Sequence, residues 1–121
     1  MRDIKDILKE IELHDSGLLS LTMHGNGSLE LIIDIDEVWN KELDSRIRGI
    51  LISSVYEISN FRIDRVNIIG SVDIQDVDDY NKEFVFHIGN EPEKTVVLLC
   101  IEFVAGGSLN IICSGKAAYL M

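Results

Sequence analysis

The stretch from Thr95 to Ser114 constrains the fold more than any other. Val96 to Val104 is nine residues, all apolar but Glu102, with β-branched and aromatic types prominent. Ala105-Gly106-Gly107-Ser108 interrupts it, and Leu109-Asn110-Ile111-Ile112-Cys113-Ser114 follows. Two short apolar runs separated by glycines predict a β-hairpin. The first strand is apolar at both parities, which predicts burial on both faces and a central place in its sheet. It is far shorter than the roughly 20 residues of a membrane helix.

A loop centred on Gly106-Gly107 pairs residues whose numbers sum to 213, which places Cys100 opposite Cys113. Cross-strand β-carbons stand roughly 4.5–5.5 Å apart, whereas a disulfide prefers about 3.8 Å, so two buried thiols are expected. With no further cysteine and with His14, His24 and His87 isolated from one another, no metal or other cofactor is expected.

The 121 residues predict one domain spanning 1–121. The start, Met1-Arg2-Asp3-Ile4-Lys5-Asp6, is charged and lacks the apolar core of a signal peptide, so the expected location is cytoplasmic and reducing. A net charge of −10, from 21 acidic and 11 basic residues, repels phosphate backbones and anionic membranes. It steers a basic partner inward or serves solubility alone.

Ile4, Ile7, Leu8 and Ile11 recur at helical spacing, predicting a helix over 3–12 with Asp3 as its cap. Leu13-His14-Asp15-Ser16-Gly17 forms a polar junction, read either as a structural turn or as a binding or catalytic site. Adjacent His, Asp and Ser side chains point apart, unlike those of a triad.

Leu18–His24 and Ser28–Asp36 predict a second hairpin. An Asn26-Gly27 turn would pair Leu21 with Ile32 and place carboxylates on the apolar face. A Gly25-Asn26-Gly27 loop, with Gly27 in the left-handed bulge position, pairs Leu21 with Leu31 and Leu19 with Ile33 and keeps one face dry. The second register is the expectation.

Residues 37–49 carry Trp39 among charges, as a lid on the core edge or as an anchor for a partner. Strands are expected at Ile50–Ile58, Ile63–Ile69, within Ser71–Tyr80 and at Glu83–Ile88, with a turn at Ser59-Asn60 and a short tail from Lys116 to Met121. Asp73, Asp76, Asp78 and Asp79 lack the glycine and glutamate of a calcium loop and read as a solvated acidic edge. The whole predicts an α+β, mostly β fold. An antiparallel sheet of about seven strands, a partial barrel or sandwich, carries the N-terminal helix packed on it.

The Leu13-His14-Asp15-Ser16 segment between helix and strand, with the terminal Leu109-Asn110-Ile111-Ile112-Cys113, resembles a loose group of small bacterial proteins. Some of that group are assigned as immunity proteins of polymorphic-toxin systems, and His-Asp-Ser recurs in it at the same junction. A compact scaffold without catalytic motifs, the charge of −10 and two acidic clusters beside aromatics point to a non-enzymatic binding protein, and the resemblance implies an immunity protein that occupies a basic toxin. The candidate partner-binding residues are Asp34, Asp36, Glu37, Trp39, Asp76, Asp78, Asp79 and Tyr80, aromatics ringed by carboxylates. The alternatives are a small ligand-binding or hydrolytic barrel using His14 and Asp15, and a structural protein whose sheet edge pairs into a homodimer.

Overall fold

The computed structural model describes residues 1–77 and 95–121. Its elements in chain order are β1 (Arg2–Asp3), α1 (Ile4–Glu10), β2 (Gly17–Met23), β3 (Leu29–Asp34), β4 (Gly49–Ile52), β5 (Val55–Ile63), β6 (Ile69–Asp76), β7 (Val96–Phe103), β8 (Gly107–Ser114) and β9 (Lys116–Leu120). The fold is α+β and mostly β. All pairing is antiparallel, in a five-stranded sheet ordered β1-β9-β4-β3-β2 and a four-stranded sheet ordered β5-β8-β7-β6. The expected strand Glu83–Ile88, the loop after it, His87, Asp78, Asp79 and Tyr80 lie outside the described residues.

Two bent strands join the sheets. β4 runs into β5 through Ser53-Ser54, and β8 runs into β9 through Gly115. β4 pairs with β9 and β5 with β8, so the two form one ribbon that serves both sheets. The Oγ atoms of Ser53 and Ser114 meet at 2.5 Å in its bend, and the Ser114 N–H donates to the Ser54 carbonyl at 2.8 Å. The other side closes where β2 reaches β6. There Leu18 N–H donates to the Asn67 carbonyl, and Ile69 N–H to that of Ser16.

Four expected boundaries are corrected here. Ile50–Ile58 is not one strand, because the chain changes sheets at Ser53-Ser54. The expected turn at Ser59-Asn60 lies inside β5, where Asn60 takes a left-handed φ of 53°, a conformation its short polar side chain tolerates. The chain then turns at 64–68, where a strand was expected. Lys116–Met121 is no tail either, since β9 sits between β1 and β4.

The hairpin of β2 and β3 takes the dry register, with Leu21 opposite Leu31 and Gly27 at φ 89°. It departs at Leu19. A bulge between Leu18 and Ser20 puts Leu18 opposite Ile33 and leaves Leu19 61% exposed. The extra residue turns Leu18 into the core just where β2 swings toward β6.

The hairpin of β7 and β8 overturns the cysteine pairing. Cys113 faces Val97, and Cys100 faces Asn110. Paired residues sum to 210, so odd positions meet odd ones. Val97, Leu99 and Ile101 thereby meet Cys113, Ile111 and Leu109, all buried. A sum of 213 would have set Asn110 against Phe103. β7 is central, as expected, but only its odd face is fully buried; Val96, Leu98 and Cys100 are half-buried. Both cysteines are free thiols.

Asp3 caps α1, its carboxylate accepting from Lys5 N–H at 2.9 Å. Ile4 and Ile7 are fully buried, worth roughly 1.5–3 kcal/mol each against exposure. Ile4 N–H donates to the Gly115 carbonyl, Tyr119 Oη to the Ile7 carbonyl, and Lys5 Nζ reaches Asp76 at 2.7 Å. The helix thus covers the opening between β9 and β6.

Candidate functional site

The structure brings together two segments that the sequence holds apart: the junction His14-Asp15-Ser16 and the turn Asp36–Asn40. The chain leaves α1 at Ile11 and crosses the rim before β2. Asp15 adopts a left-handed φ of 69°, its N–H donating to the Ile69 carbonyl at 2.9 Å. That kink sends neighbouring side chains to opposite sides. Ser16 is fully buried, and its Oγ accepts the Asp36 N–H at 2.9 Å. His14 and Asp15 stay at the surface.

Trp39 completes the cluster from the second segment. Its indole Nε1–H donates to Asp15 Oδ2 at 3.1 Å, and its ring meets His14 edge-on at a centroid distance of 6.0 Å. His14 Nδ1 lies 3.3 Å from the same Asp15 oxygen. Trp39 remains 57% exposed, so it is no lid over the core. Tryptophan with a fixed orientation and an open face costs little ordering on contact with another molecule.

Asn40 holds the arrangement, and sequence reading gave it no role. Its Oδ1 accepts from Glu12 N–H, and its amide donates to the carbonyls of Glu12 and Asp36, each at 2.8 Å. Three bonds from one amide to main chain clip the helix exit to the turn. Asp36 Oδ1 accepts the Val38 N–H at 2.7 Å, which tightens that turn. The only sequence signal was a polar amide four residues after an aspartate, too common to single out.

Asp34 ends β3, opposite Gly17, and Glu37 lies exposed on the turn. Among the described residues, none of Asp34, Asp36 and Glu37 forms an ion pair. Elsewhere Arg2 holds Glu10, Arg46 holds Asp44 and Arg62 holds Asp64. Asp44 shows the effect of such a partner, since hydrogen bonds from the Arg46 side chain and backbone pull its pKa down to about 2. Asp76 is held in the same way, by Lys5 across the α1–β6 gap. Asp78, Asp79 and Tyr80 lie outside the described residues. Beside Trp39, a groove of about 720 Å³ runs past Leu19, Asp34, Ile35, Glu37, Val38 and Arg48.

Chemically the cluster offers an exposed indole, an imidazole and several carboxylates. A nucleophile–base pair does not form, because Ser16 Oγ points inward to Asp36 while His14 faces out. Among the described residues, no three His, Cys, Asp or Glu side chains converge as metal ligands. Nor is any helix there long and apolar enough to cross a membrane. No family model, curated protein or solved structure matches the chain.

Proposed function

We propose that this chain is a non-enzymatic binding protein of the cytoplasm whose Trp39 face docks on a basic protein partner. By the resemblance of its His14-Asp15-Ser16 junction, that partner is a toxin such as a nuclease, which the chain would neutralise as an immunity protein. The observation that carries the reading is the setting of Trp39. It is held by Asp15 and His14, is 57% exposed, and stands on the turn that carries Asp36 and Glu37, next to a groove that Asp34 and Glu37 line together with Lys41 and Arg48. None of the three carboxylates has an ion-pair partner among the described residues. Carboxylates without their own counter-charges leave a negative field to guide a cationic surface, which acts on the association rate. The pinned indole supplies the contact area that typifies binding hot spots.

The test is to find whether a basic protein is encoded beside this chain and, with that protein purified, to follow its association by biolayer interferometry across a salt series. Association is expected to slow as salt rises. Neutralising Asp34→Asn, Asp36→Asn and Glu37→Gln together is expected to slow association about tenfold and flatten the salt slope. Trp39→Ala is expected to speed dissociation by roughly 30-fold, the loss of one hot spot of about 2 kcal/mol. Wild-type rates in both variants would remove the reading.

A further inference from the structure

We propose that Asn26 is a site of spontaneous covalent modification, whose side-chain amide the turn between β2 and β3 activates toward deamidation by water. Asn26 is the only asparagine of the sequence that precedes a glycine. Glycine has no β-carbon to shield its nitrogen, so the Gly27 backbone nitrogen can approach the side-chain carbonyl of the residue before it. Asn26 stands exposed at the hairpin tip, and Gly27 holds a φ of 89°.

The structure adds what the dipeptide alone does not have. Asn26 Oδ1 accepts two hydrogen bonds from one residue, from Ser28 N–H at 3.0 Å and from the Ser28 hydroxyl at 2.7 Å. Negative charge gathers on that oxygen when a nucleophile adds to Cγ. Donors set in advance on a developing oxyanion lower the barrier to acyl transfer. Ser28 is buried, which shelters its hydroxyl from water and keeps it on Oδ1. The Gly27 N–H donates to the His24 carbonyl at 3.0 Å, and this bond must open before the nitrogen can lose its proton. An exposed turn frays at little cost. The two bonds from Ser28 reach back only two positions, so they survive that opening.

The step balances without any redox change. Hydroxide takes the Gly27 amide proton, the nitrogen bonds to Asn26 Cγ, and the carbonyl electron pair moves onto Oδ1 beneath its two donors. That pair returns as the bond from Cγ to Nδ2 breaks. The leaving nitrogen takes a proton from water and departs as ammonia, leaving a cyclic succinimide. Water then opens the ring at either carbonyl, to aspartate or to isoaspartate. Either product adds negative charge to the tip. Isoaspartate also lengthens the main chain in the turn that sets Leu21 opposite Leu31 and lends the Gly27 carbonyl to Val55 N–H at 2.9 Å.

Incubation of the purified chain at neutral pH, followed by peptide mapping in the mass spectrometer, tests the proposal. An isoaspartyl methyltransferase reads the iso form. Asn26 is expected to convert ahead of Asn40, Asn60, Asn67 and Asn110. Ser28→Ala is expected to slow conversion about fivefold, the worth of one hydrogen bond to the transition state. Ser28→Thr keeps the hydroxyl and is expected to recover the rate. The same chain unfolded in urea is expected to convert more slowly than the native one, because Oδ1 then faces water in place of its two fixed donors. That comparison uses no variant, so it holds even if Ser28→Ala disturbs the hairpin. Faster conversion in urea would show a turn that protects Asn26 and would overturn the proposal. So would an unchanged rate in Ser28→Ala, or no recovery in Ser28→Thr.

Discussion

Trp39 and Asp15 are 24 positions apart in sequence, and a hydrogen bond of 3.1 Å from indole Nε1–H to carboxylate Oδ2 joins them. Asp15 does two jobs there. It accepts that bond, and it occupies a left-handed φ of 69° that few side chains tolerate.

Asp15→Ala is therefore expected to cost about 1–2 kcal/mol, summing a lost capping-type bond and the left-handed conformation. Asp15→Asn keeps an acceptor oxygen and tolerates the same φ, so it should lose less. Urea denaturation followed by Trp39 fluorescence reads both numbers, and equal losses in the two variants would contradict the account.

Asn40→Ala removes three bonds to main chain at once. A loss of roughly 1–3 kcal/mol is expected from the main-chain groups left unpaired. Asn40→Asp keeps the acceptor for Glu12 N–H and sets a carboxylate against two carbonyls, so it should be no better. Thermal melting of the pair gives the comparison, and a neutral Asn40→Ala would show that solvent replaces the clip.

Gly49 lies where β3 and β4 approach closely. A β-carbon there would fall 2.0 Å from the Leu31 carbonyl oxygen, an atom fixed in the sheet. Gly49→Ala is expected to destabilise by about 2 kcal/mol or more, in the range of overpacked interiors. A melting temperature within a degree or so of wild type would be the contrary result.

Burial pushes the Cys113 thiol from its ordinary 9.0 up to about 12. Burial, aided by the hydrogen bond to Glu10, raises Tyr119 from 10.0 to about 12. The unfolded chain gives up these protons at lower pH than the native one. Each group's stabilisation is whole below its unfolded pKa and disappears as pH rises through its folded one. Stability should therefore hold up to pH 9 and fall between 9 and 12, with Cys113→Ala reducing the loss while Cys100, its thiol also raised by burial, keeps the onset near 9. Native protein should also protect Cys113 from thiol reagents at pH 8, while denatured protein shows two thiols.

What the sequence disclosed follows from parity and periodicity. The helix was legible because Ile4, Ile7, Leu8 and Ile11 share a face and Asp3 precedes them. The β2–β3 register was legible because only one pairing keeps Leu29, Leu31 and Ile33 dry. Parity applied equally to β7 and β8 would have rejected the Cys100–Cys113 pairing, since buried Leu99 needs an odd-numbered partner; centring the loop on its two glycines overrode that test. The bulge at Leu19 and the bend at Ser53-Ser54 answer to the closure of the two sheets, a demand that no local pattern carries. The candidate site was half visible. Its residue types stood out, yet the meeting of Asp15 with Trp39 depends on Asn40, whose three partners are all main-chain atoms and leave no side-chain pattern to read.

The bent ribbon has a kinetic consequence. The ribbon is closed only when Ser53 and Ser114, 61 positions apart, meet, which joins its β4–β9 half to its β5–β8 half. The hairpins β2–β3 and β7–β8 are local and can form within about 1–10 μs, but neither has a second layer until that long loop closes. Loop closure thus precedes most of the core, which sets the folding time in the millisecond-to-second range of barrels and sandwiches rather than that of helical bundles. During that interval β2 and β7 expose apolar backbone edges in the unassembled chain, and its surplus of negative charge keeps neighbouring chains apart while the ribbon is still open.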